Sequence, residues 1–494
     1  MTISRRILYP LTAAVILAYF LFFTWNSRHM YFDADDMYAL YFAWSKPLMQ
    51  IVRENLYLWR GEFRPLGAFF YRGIYAVAGF DPYPFRIAEL SVCIADMGIC
   101  FWFIRLVSAS ERTAALATLL FAFQVRMLEV WFRTTVIFDA LCFTFLYLAL
   151  GLYIHGRRGG ADLSRGRIAA ILLLFVCALN SKEFAVCLPL FIVAWELLFN
   201  TSEWNPAKPM TWLKSRAALL IAAMGVLVVV YAIGKLHGPA AMSTNPGYTP
   251  EYSYTRFTET WGEYLKDLFV LADRPPGYAS ISILGGMVAL AIAIRSRVLA
   301  FAWVILLFGM LPVSFSPARG GYEIYAASWL GWVLYAASLL VALQDFVTRR
   351  VPQYRTALAA AMFILVGWGV GKVNLHDLRH GERTWLYDPP KAAHTMVRQL
   401  VALHATLPPQ ARVLFLEDGF TTQEWTPLFI MRIIYDSPTM VVDRLKRDTA
   451  KPAGWEQYMS ADRVHYDYVF DYLAGRYIEV QKRSAIGGPA AKAY

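Results

Sequence analysis

Apolar segments of about the length of a membrane span recur through this chain, and they constrain its fold more than any other feature. The first runs from Ile7 to Trp25, and about 20 helical residues cross the ~30 Å hydrocarbon layer of a bilayer. The later segments, some of them short for a span, are Phe85 to Val107, Thr113 to Phe123, Thr134 to Tyr153, Ile168 to Leu179, Phe184 to Leu198, Ala217 to Ile233, Ile281 to Ile294, Val298 to Phe315, Ile324 to Val341 and Ala357 to Val373. The pattern predicts a polytopic α-helical membrane protein with about eleven transmembrane helices.

The composition narrows the class of protein. Hydrophobic residues make up 58% of the chain and charged residues 17%, which excludes a soluble enzyme. The net charge of +11 does not predict a nucleic-acid partner, because the Lys and Arg residues fall in short clusters between the apolar segments. The five cysteines lie within or at the ends of apolar runs, with no pair at zinc-ligand spacing. The sequence therefore predicts neither a disulfide framework nor a metal cluster.

The basic clusters predict the orientation of the chain. With the N-terminus inside, every inner connection carries arginine or lysine, as the positive-inside rule expects. These residues are Arg105 and Arg112; Arg157, Arg158, Arg165 and Arg167; Lys208, Lys214 and Arg216; Arg295 and Arg297; and Arg349, Arg350 and Arg355. The first outer loop is basic as well, but long loops weigh little in orientation. An odd number of spans leaves the C-terminal part outside.

The polarity pattern predicts two domains. Residues 1–375 would form a transmembrane domain with long outer loops at 26–84 and 237–280, and residues 376–494 a soluble extracytoplasmic α/β domain. The elements expected in the second domain are helices at Pro390–Ala405 and Trp425–Ile434, and strands at Arg412–Leu416, Thr439–Val442, Tyr466–Tyr472 and Tyr477–Val480. It contains no glycine loop for phosphate, which favours an accessory or lid domain.

Ionisable and polar side chains gather on the predicted outer face. They are Asp33, Asp35 and Asp36; Glu62 and Arg64; Glu129 and Arg133; Lys182 and Glu183; and Arg319, Tyr322 and Glu323. Charged groups at the ends of spans cost free energy unless they are paired or solvated, which makes them candidates for function.

Each candidate also has a structural interpretation. The aspartates could form a solvated acidic loop, and Lys182 with Glu183 an ordinary interfacial ion pair. Arg319 could be an anchor that reaches towards the headgroups, and Glu129 a satisfied carboxylate at a span end. Arg64 could end a helix, because the proline after it disfavours helical backbone.

Five segments resemble motifs of the GT-C superfamily, whose members are glycosyltransferases that use polyprenyl-phosphate-linked sugars. Asp35-Asp36-Met37-Tyr38-Ala39-Leu40 resembles the acidic first-loop motif of that superfamily. The other four are similar, in the same order, to elements of its O-mannosyltransferase branch with tetratricopeptide repeats. They are Phe63-Arg64-Pro65-Leu66; Leu119-Leu120-Phe121-Ala122 followed by Glu129; Asn180-Ser181-Lys182-Glu183; and Arg319-Gly320-Gly321-Tyr322. The similarity covers roughly residues 7–373.

The chain departs from that branch in two places. Gln124, Val125 and Arg126 stand where the branch often has Pro and His. The C-terminal part shows no recurrence at the ~34-residue period of tetratricopeptide repeats. The sequence therefore resembles a bacterial relative with a small periplasmic domain.

The resemblance implies a GT-C-like fold and a hexosyl- or pentosyltransferase of the bacterial inner membrane, with an extracytoplasmic active site. The implied site residues are Asp35 and Asp36 as catalytic residues, and Arg64, Glu129, Lys182, Glu183, Arg319 and Tyr322 as substrate-binding residues. Asp35 would take the proton of the acceptor hydroxyl, with inversion at the anomeric carbon, and Asp36 or Glu183 would orient the acceptor or the base.

The donor phosphate needs cations. The resemblance implies Arg319 and Lys182 for this task, with Arg64 as a weaker candidate, since guanidinium pairs bidentately with phosphate and Lys acts as a point charge. The expected partners are a polyprenyl-phosphate-sugar donor, a glycan, lipid or protein acceptor, and membrane lipids. No cofactor is certain. A divalent cation stays open, although the aspartates at 33, 35 and 36 lack a clear set of oxygen ligands.

Two other functions remain open at this point. A transporter or flippase of lipid-linked glycans would also suit the outer charges and the spans. Against it, the chain has no matching halves with broken spans and few charges deep in its spans, Asp96 and Asp139 being exceptions. A non-catalytic assembly protein, whose outer domain recruits partners, is the third possibility.

Overall fold

The computed structural model describes residues 5–56, 64–158, 161–200, 215–237, 249–422, 424–446 and 466–480. Glu62 and Phe63, named above for the outer face and for a motif, lie outside the described residues. The chain divides into two compact units. The first comprises residues 1–29, 46–74 and 83–382, and the second residues 30–45, 75–82 and 383–494.

The described residues are mostly helical. In chain order the α-helices are α1 (Arg5–Thr24), α2 (Ala34–Ser45), α3 (Leu48–Leu56), α4 (Pro65–Ala78), α5 (Pro82–Ser108), α6 (Glu111–Ala122), α7 (Glu129–Phe132), α8 (Ile137–Arg157), α9 (Arg165–Ser181), α10 (Leu188–Phe199), α11 (Arg216–His237), α12 (Tyr254–Phe269), α13 (Gly277–Ala293), α14 (Arg297–Gly309), α15 (Trp329–Thr348), α16 (Arg355–His380), α17 (Thr384–Leu403) and α18 (Thr426–Ile434).

Six helical segments among the described residues are long and apolar enough to cross a membrane. They are Tyr9–His29, Pro82–Ser108, Thr134–Arg157, Arg216–His237, Trp329–Thr348 and Pro352–His380. Large apolar side chains on α11 and α16, among them Val226, Val229 and Leu365, are exposed, as expected for surfaces that face lipid. The predicted polytopic helical class is thus confirmed, and the protein is an integral membrane protein. The count of about eleven spans stays a prediction.

Serine caps begin several of these helices. The side chains of Ser110, Ser164 and Ser296 accept the backbone N–H three residues further on, at the starts of α6, α9 and α14. Each cap satisfies one of the N–H groups that a helix start leaves without a partner. All three serines lie on connections predicted to be inside.

The first unit is held together by close helix packing. Helix α8 packs on α9, and α15 packs on α6 and α14. At Gly331 of α15, a Cβ atom would lie only 2.6 Å from the Leu306 backbone nitrogen of α14. Only glycine permits this approach, so the sequence sets the spacing of α14 and α15 at this residue.

The second unit contains the predicted small sheet. Its strands are β1 (Arg412–Phe415), β2 (Val441–Arg444), β3 (Tyr468–Leu473) and β4 (Arg476–Glu479). The order is β2-β1-β3-β4, with the first three parallel and β4 antiparallel to β3. Ala474 and Gly475 join β3 to β4 with φ angles of 48° and 82°, as in a type I′ turn. The predicted C-terminal α/β fold is confirmed, although β2 begins two residues later than the sequence suggests.

Helix α2, from the first predicted outer loop, belongs to this second unit. It packs on α18, where the rings of Tyr38 and Tyr41 lie 5.5 Å and 5.2 Å from the ring of Phe429. Arg432 donates a 2.8 Å hydrogen bond to the Tyr41 hydroxyl. The segment that carries the three aspartates is therefore fixed by contacts with a helix nearly 400 residues away in sequence.

Candidate active site

The three aspartates at the start of α2 have different environments. The Asp33 carboxylate accepts the backbone N–H of Asp36 at 2.9 Å, and the Asp36 carboxylate accepts the backbone N–H of Asp33 at 3.2 Å. This reciprocal pair has the geometry of a capping box, with Asp33 as the N-cap. Asp33 and Asp36 are buried, whereas Asp35 is exposed. Asp35 is therefore the most accessible of the three carboxylates.

The first unit contains a cluster of charged side chains, here called the charged cluster. Its members are Arg64, Asp139, Lys182, Glu183, Arg319 and Glu323. They come from four separate parts of the sequence, so the fold of this unit brings them together. Five of them were predicted from the sequence as outer-face residues, all except Asp139: Arg64, Lys182, Glu183, Arg319 and Glu323.

Two interruptions of helical structure position Lys182, Glu183 and Arg319 of the charged cluster. Helix α9 ends at Ser181, Lys182 is extended, and a short 3-10 helix covers Glu183–Cys187 before α10 begins. Further on, Gly320 has a φ of 150°, and a Cβ atom on Gly321 would lie 2.3 Å from the Arg126 carbonyl oxygen. The two glycines therefore let the chain turn tightly past Arg126 and position Arg319 beside them.

The deeper part of the charged cluster consists of buried ion pairs. The Lys182 ammonium lies 2.7 Å from an Asp139 carboxylate oxygen, with side chains only 3% and 1% exposed. Glu323 is fully buried. It accepts the Arg319 backbone N–H at 2.9 Å, the Arg319 Nε–H at 2.8 Å and the Tyr264 hydroxyl at 2.9 Å. Buried carboxylates need such partners, since an unpaired one costs several kcal/mol, roughly 3 to 5.

The outer part of the charged cluster is open to solvent. Glu183 lies between two guanidinium groups, 3.6 Å from that of Arg64 and 3.9 Å from that of Arg319. All three side chains are about one fifth exposed. At these distances the contacts are ionic and not tight bidentate hydrogen bonds. The two guanidinium groups could therefore both reach an anion that approaches from the open side.

Glu183 is ionised in this setting. Burial on its own would raise its pKa, but nearby cations outweigh burial and hold the pKa of Glu183 well below its usual range. The cations with the largest effects are Arg64, Lys182 and Arg319. A carboxylate with such a low pKa is a poor proton acceptor. The geometry therefore favours a role for Glu183 in holding two cations near each other, and not a role as general base.

The remaining predicted residues lie around the same cluster. The Lys182 ammonium stands over the Tyr322 ring, 5.6 Å from its centroid. A Glu129 carboxylate oxygen lies 3.8 Å from the position that a Cβ atom on Gly320 would take, and Glu129 pairs with Arg133 at 3.8 Å. All six predicted substrate-binding residues are thus in the first unit and near one another. Their roles stay predictions.

Sequence reasoning did not include Asp139 in the site. In the sequence it is marked only as an acid within an apolar span. The partner of that acid is Lys182, 43 residues away. The presence of an acid in an apolar segment was the available signal, because such a residue needs a cation nearby.

No metal site is evident in the described ranges, where no three His, Cys, Asp or Glu side chains come together as ion ligands. The aspartates of α2 fit a cap better than a cation site, because two of them bind backbone N–H groups.

A pH effect is expected from Asp267 in α12, close to Gly321. Burial raises the pKa of Asp267 to about 6, although the positive charges of Lys266 and Arg126 act to lower it. The pKa of an aspartate in the unfolded chain is about 3.9. The contribution of Asp267 to the free energy of unfolding is therefore fully present below about pH 4 and is lost as the pH rises through about 6. Asp267→Asn should raise stability at pH 7 by about 2 to 3 kcal/mol and change it little at pH 4.

Thermal unfolding of the detergent-solubilised variant at both pH values measures this effect. Asp273→Asn, at an exposed aspartate a few residues further on, is the matched control and should be neutral at both. Equal destabilisation of Asp267→Asn at pH 4 and pH 7 would show that the ionised carboxylate is the favoured form.

Comparisons of sequence find no relatives for this chain. No protein-family model matches it, and no curated protein does. Family membership therefore has no support from sequence comparison beyond the motifs.

Comparison of structures does find similar proteins. ArnT from Cupriavidus metallidurans bound to undecaprenyl phosphate is 15% identical, with a TM-score of 0.50 over 89% of this chain and 86% of that chain. The Archaeoglobus fulgidus oligosaccharyltransferase in complex with zinc and sulfate is 11% identical, with a TM-score of 0.52 over 93% and 67%. AglB from the same organism, with an inhibitory peptide and a dolichol-phosphate, is 10% identical, with a TM-score of 0.50 over 98% and 75%.

At these identities the similarity concerns the fold alone. The predicted O-mannosyltransferase branch and bacterial origin stay predictions. The chain nevertheless matches these proteins over most of its length. The protein shares its fold with ArnT and with these oligosaccharyltransferase structures.

Proposed function

We propose that this protein is a membrane-embedded glycosyltransferase that moves a sugar from a polyprenyl-phosphate-linked donor to an acceptor hydroxyl. The observation that carries the proposal is the outer part of the charged cluster, where Arg64 and Arg319 flank Glu183 and all three are partly exposed. Paired guanidinium groups at the edge of apolar helices suit the phosphate of a lipid carrier. ArnT, which has a similar fold, is known bound to undecaprenyl phosphate.

The chemistry needs two contributions from the protein. As the acceptor oxygen attacks the anomeric carbon, the bond from that carbon to the phosphate oxygen breaks, and the leaving polyprenyl phosphate gains one negative charge. Arg64 and Arg319 would stabilise that charge, since fixed cations aimed at a developing charge lower the barrier. The acceptor hydroxyl loses its proton to a base, and attack from the face opposite the phosphate inverts the anomeric configuration.

Asp35 is proposed as that base. It is exposed at the first turn of α2, whereas Asp33 and Asp36 are buried and exchange hydrogen bonds with each other's backbone. Asp36, also predicted to be catalytic, would support Asp35 by fixing the first turn of the helix. The transferred sugar is proposed to be a hexose or a pentose. The reaction is placed on the extracytoplasmic side of a bacterial inner membrane.

Binding of undecaprenyl phosphate to the purified protein tests the donor site. Arg64→Ala should weaken the affinity about 10- to 100-fold, because a hydrogen bond to a charged group contributes about 1.5 to 3 kcal/mol. Native mass spectrometry over a titration of the lipid measures the dissociation constant. Arg297→Ala, at an exposed arginine that begins α14, is the control and should bind as the wild type does.

Two results would contradict the donor site. The wild-type protein could fail to bind undecaprenyl phosphate above the level of a neutral prenol, or Arg64→Ala could bind it unchanged. Mass spectrometry of the lipid that co-purifies with the wild type then identifies the carrier and any sugar that it holds.

A further inference from the structure

A polar cavity lies in the first unit, at the ends of several spans that are opposite to the charged cluster. Its volume is about 1070 Å³, and it is bounded by the end of α5, the start of α6, the segment after α8, the end of α15 and the start of α16. We call it the arginine cavity, after four lining residues: Arg105, Arg112, Arg158 and Arg355. These arginines belong to connections predicted to be inside, so the cavity is distinct from the charged cluster.

The arginine cavity carries excess positive charge. Among the described residues, two carboxylates, Glu111 and Asp345, line it together with the four arginines, which leaves a surplus of two positive charges. Asp345 is engaged mainly by Arg112, whose terminal nitrogen lies 2.9 Å and 3.2 Å from its two oxygens. Arg355 reaches Asp345 only at 4.0 Å.

Two arginines are available for a ligand. Arg105 lies 3.4 Å from Glu111, with a side chain that is 59% exposed. Arg158 is exposed and donates to the Leu106 carbonyl, and in the described part of the chain it has no carboxylate partner. Arg112 is anchored and shapes the cavity, whereas the guanidinium groups of Arg105 and Arg158 can turn towards an anion.

The backbone adds to the positive potential. The first turns of α6 and α16 both line the cavity, through Glu111–Thr113 and Arg355–Thr356. The N-terminal end of a helix carries a partial positive charge. The N-terminal ends of both helices therefore favour an anionic ligand, as the arginines do.

Apolar side chains form another part of the lining. Trp102, Leu106 and Val341 contribute to the wall. Four of the six candidate spans begin or end at this cavity, those of α5, α8, α15 and α16. A ligand there would have its charged group among arginines and its apolar part against the helices, at the depth where headgroups lie.

We propose that the arginine cavity binds the phosphate headgroup of an anionic phospholipid from the inner leaflet. The surplus of two positive charges matches a lipid with two phosphates, diphosphatidylglycerol, better than one with a single phosphate. Positive charge at span ends also orients a chain in the membrane, but orientation requires neither a cavity nor an apolar wall beside the charges. This site does not depend on the proposed transferase activity.

Lipid binding to the full-length protein in detergent tests the proposal. The probes are tetraoleoyl diphosphatidylglycerol, dioleoyl phosphatidylglycerol, dioleoyl phosphatidylcholine and inorganic phosphate, followed by native mass spectrometry and by thermal unfolding. Diphosphatidylglycerol should bind most tightly and raise the unfolding temperature. The double variant Arg105→Ala with Arg158→Ala should bind it about 30-fold more weakly, roughly fivefold for each arginine lost near a charged headgroup.

The controls separate the sources of the effect. Arg295→Ala with Arg297→Ala removes two exposed arginines from another inner connection and should leave binding unchanged. Arg105→Lys with Arg158→Lys keeps both charges and should retain most of the affinity, which guards against a folding defect. Equal binding by the double alanine variant overturns the proposal, and so does protection by inorganic phosphate alone that matches protection by the lipid.

Discussion

Asp35→Asn should lower the rate of sugar transfer about 10²- to 10⁴-fold, the usual contribution of a positioned general base. The substitution keeps the size and the polarity of the side chain and removes its ability to accept a proton at neutral pH. Binding of the donor lipid should stay within about twofold, because the donor site is assigned to cations of the charged cluster. Transfer of a radiolabelled sugar from undecaprenyl phosphate in membranes, with the variant quantified by immunoblot, measures the rate.

The neighbouring aspartates distinguish a catalytic effect from a structural one. Asp33 is the cap of α2, so Asp33→Ala should cost about 0.5 to 2 kcal/mol of stability and lower the unfolding temperature. Asp35→Asn should leave the unfolding temperature unchanged. Full transfer activity in Asp35→Asn would refute Asp35 as the base. Loss of transfer in Asp36→Asn at unchanged stability would point to Asp36 instead.

Lys182→Met should destabilise the protein by about 3 to 5 kcal/mol, because it leaves the buried Asp139 carboxylate without its cation. The Lys182 ammonium lies 2.7 Å from Asp139, and both side chains are almost fully buried. The other Asp139 oxygen, Oδ1, has no hydrogen-bond partner among the described residues. Methionine fills a similar volume, so the cost comes from charge and not from a cavity. Chemical or thermal unfolding in detergent measures it.

A second substitution tests the pairing itself. Asp139→Leu in the Lys182→Met background removes the stranded carboxylate and should recover much of the lost stability, since apolar replacement of a whole buried pair is often neutral. Lys391→Met, at an exposed lysine of α17, is the control for loss of a lysine. A Lys182→Met variant as stable as wild type would show that Asp139 does not depend on Lys182. Additive effects in the double variant would refute the coupling.

These stability tests also bear on the role predicted for Lys182. The resemblance assigns it to the donor phosphate, yet its ammonium is buried against Asp139. Arg64 and Arg319 are more exposed. We therefore expect Lys182 to support the cluster electrostatically, with direct phosphate contacts left to the two arginines.

The fold class could be predicted from the sequence, because hydropathy is a local quantity that adds up over about 20 residues. Apolar segments separated by basic connections predict spans, and alternating strand and helix signals after residue 376 predict the small sheet. The resemblance in Asn180–Glu183 and Arg319–Tyr322 also pointed to segments that do meet in the first unit. These inferences need only short windows of sequence.

The roles within the acidic motif depended on the structure. The spacing of Asp33 and Asp36 is that of a capping box, a signal present in the sequence, but only backbone geometry shows that the two carboxylates bind each other's N–H groups. The assignment of residues 30–45 to the same unit as the C-terminal sheet likewise needs contacts across several hundred residues.

The sequence by itself determined that this chain crosses a membrane many times and carries ionisable groups at the ends of its spans. Only the tertiary structure decided which charges pair: Lys182 with Asp139, Arg319 with Glu323, and Glu183 between two arginines. The reason is that the hydropathy of a segment depends only on the residues of that segment, so each span can be recognised separately. The partner of a buried charge is set by which helices become neighbours, and pairing energies depend steeply on that distance and environment.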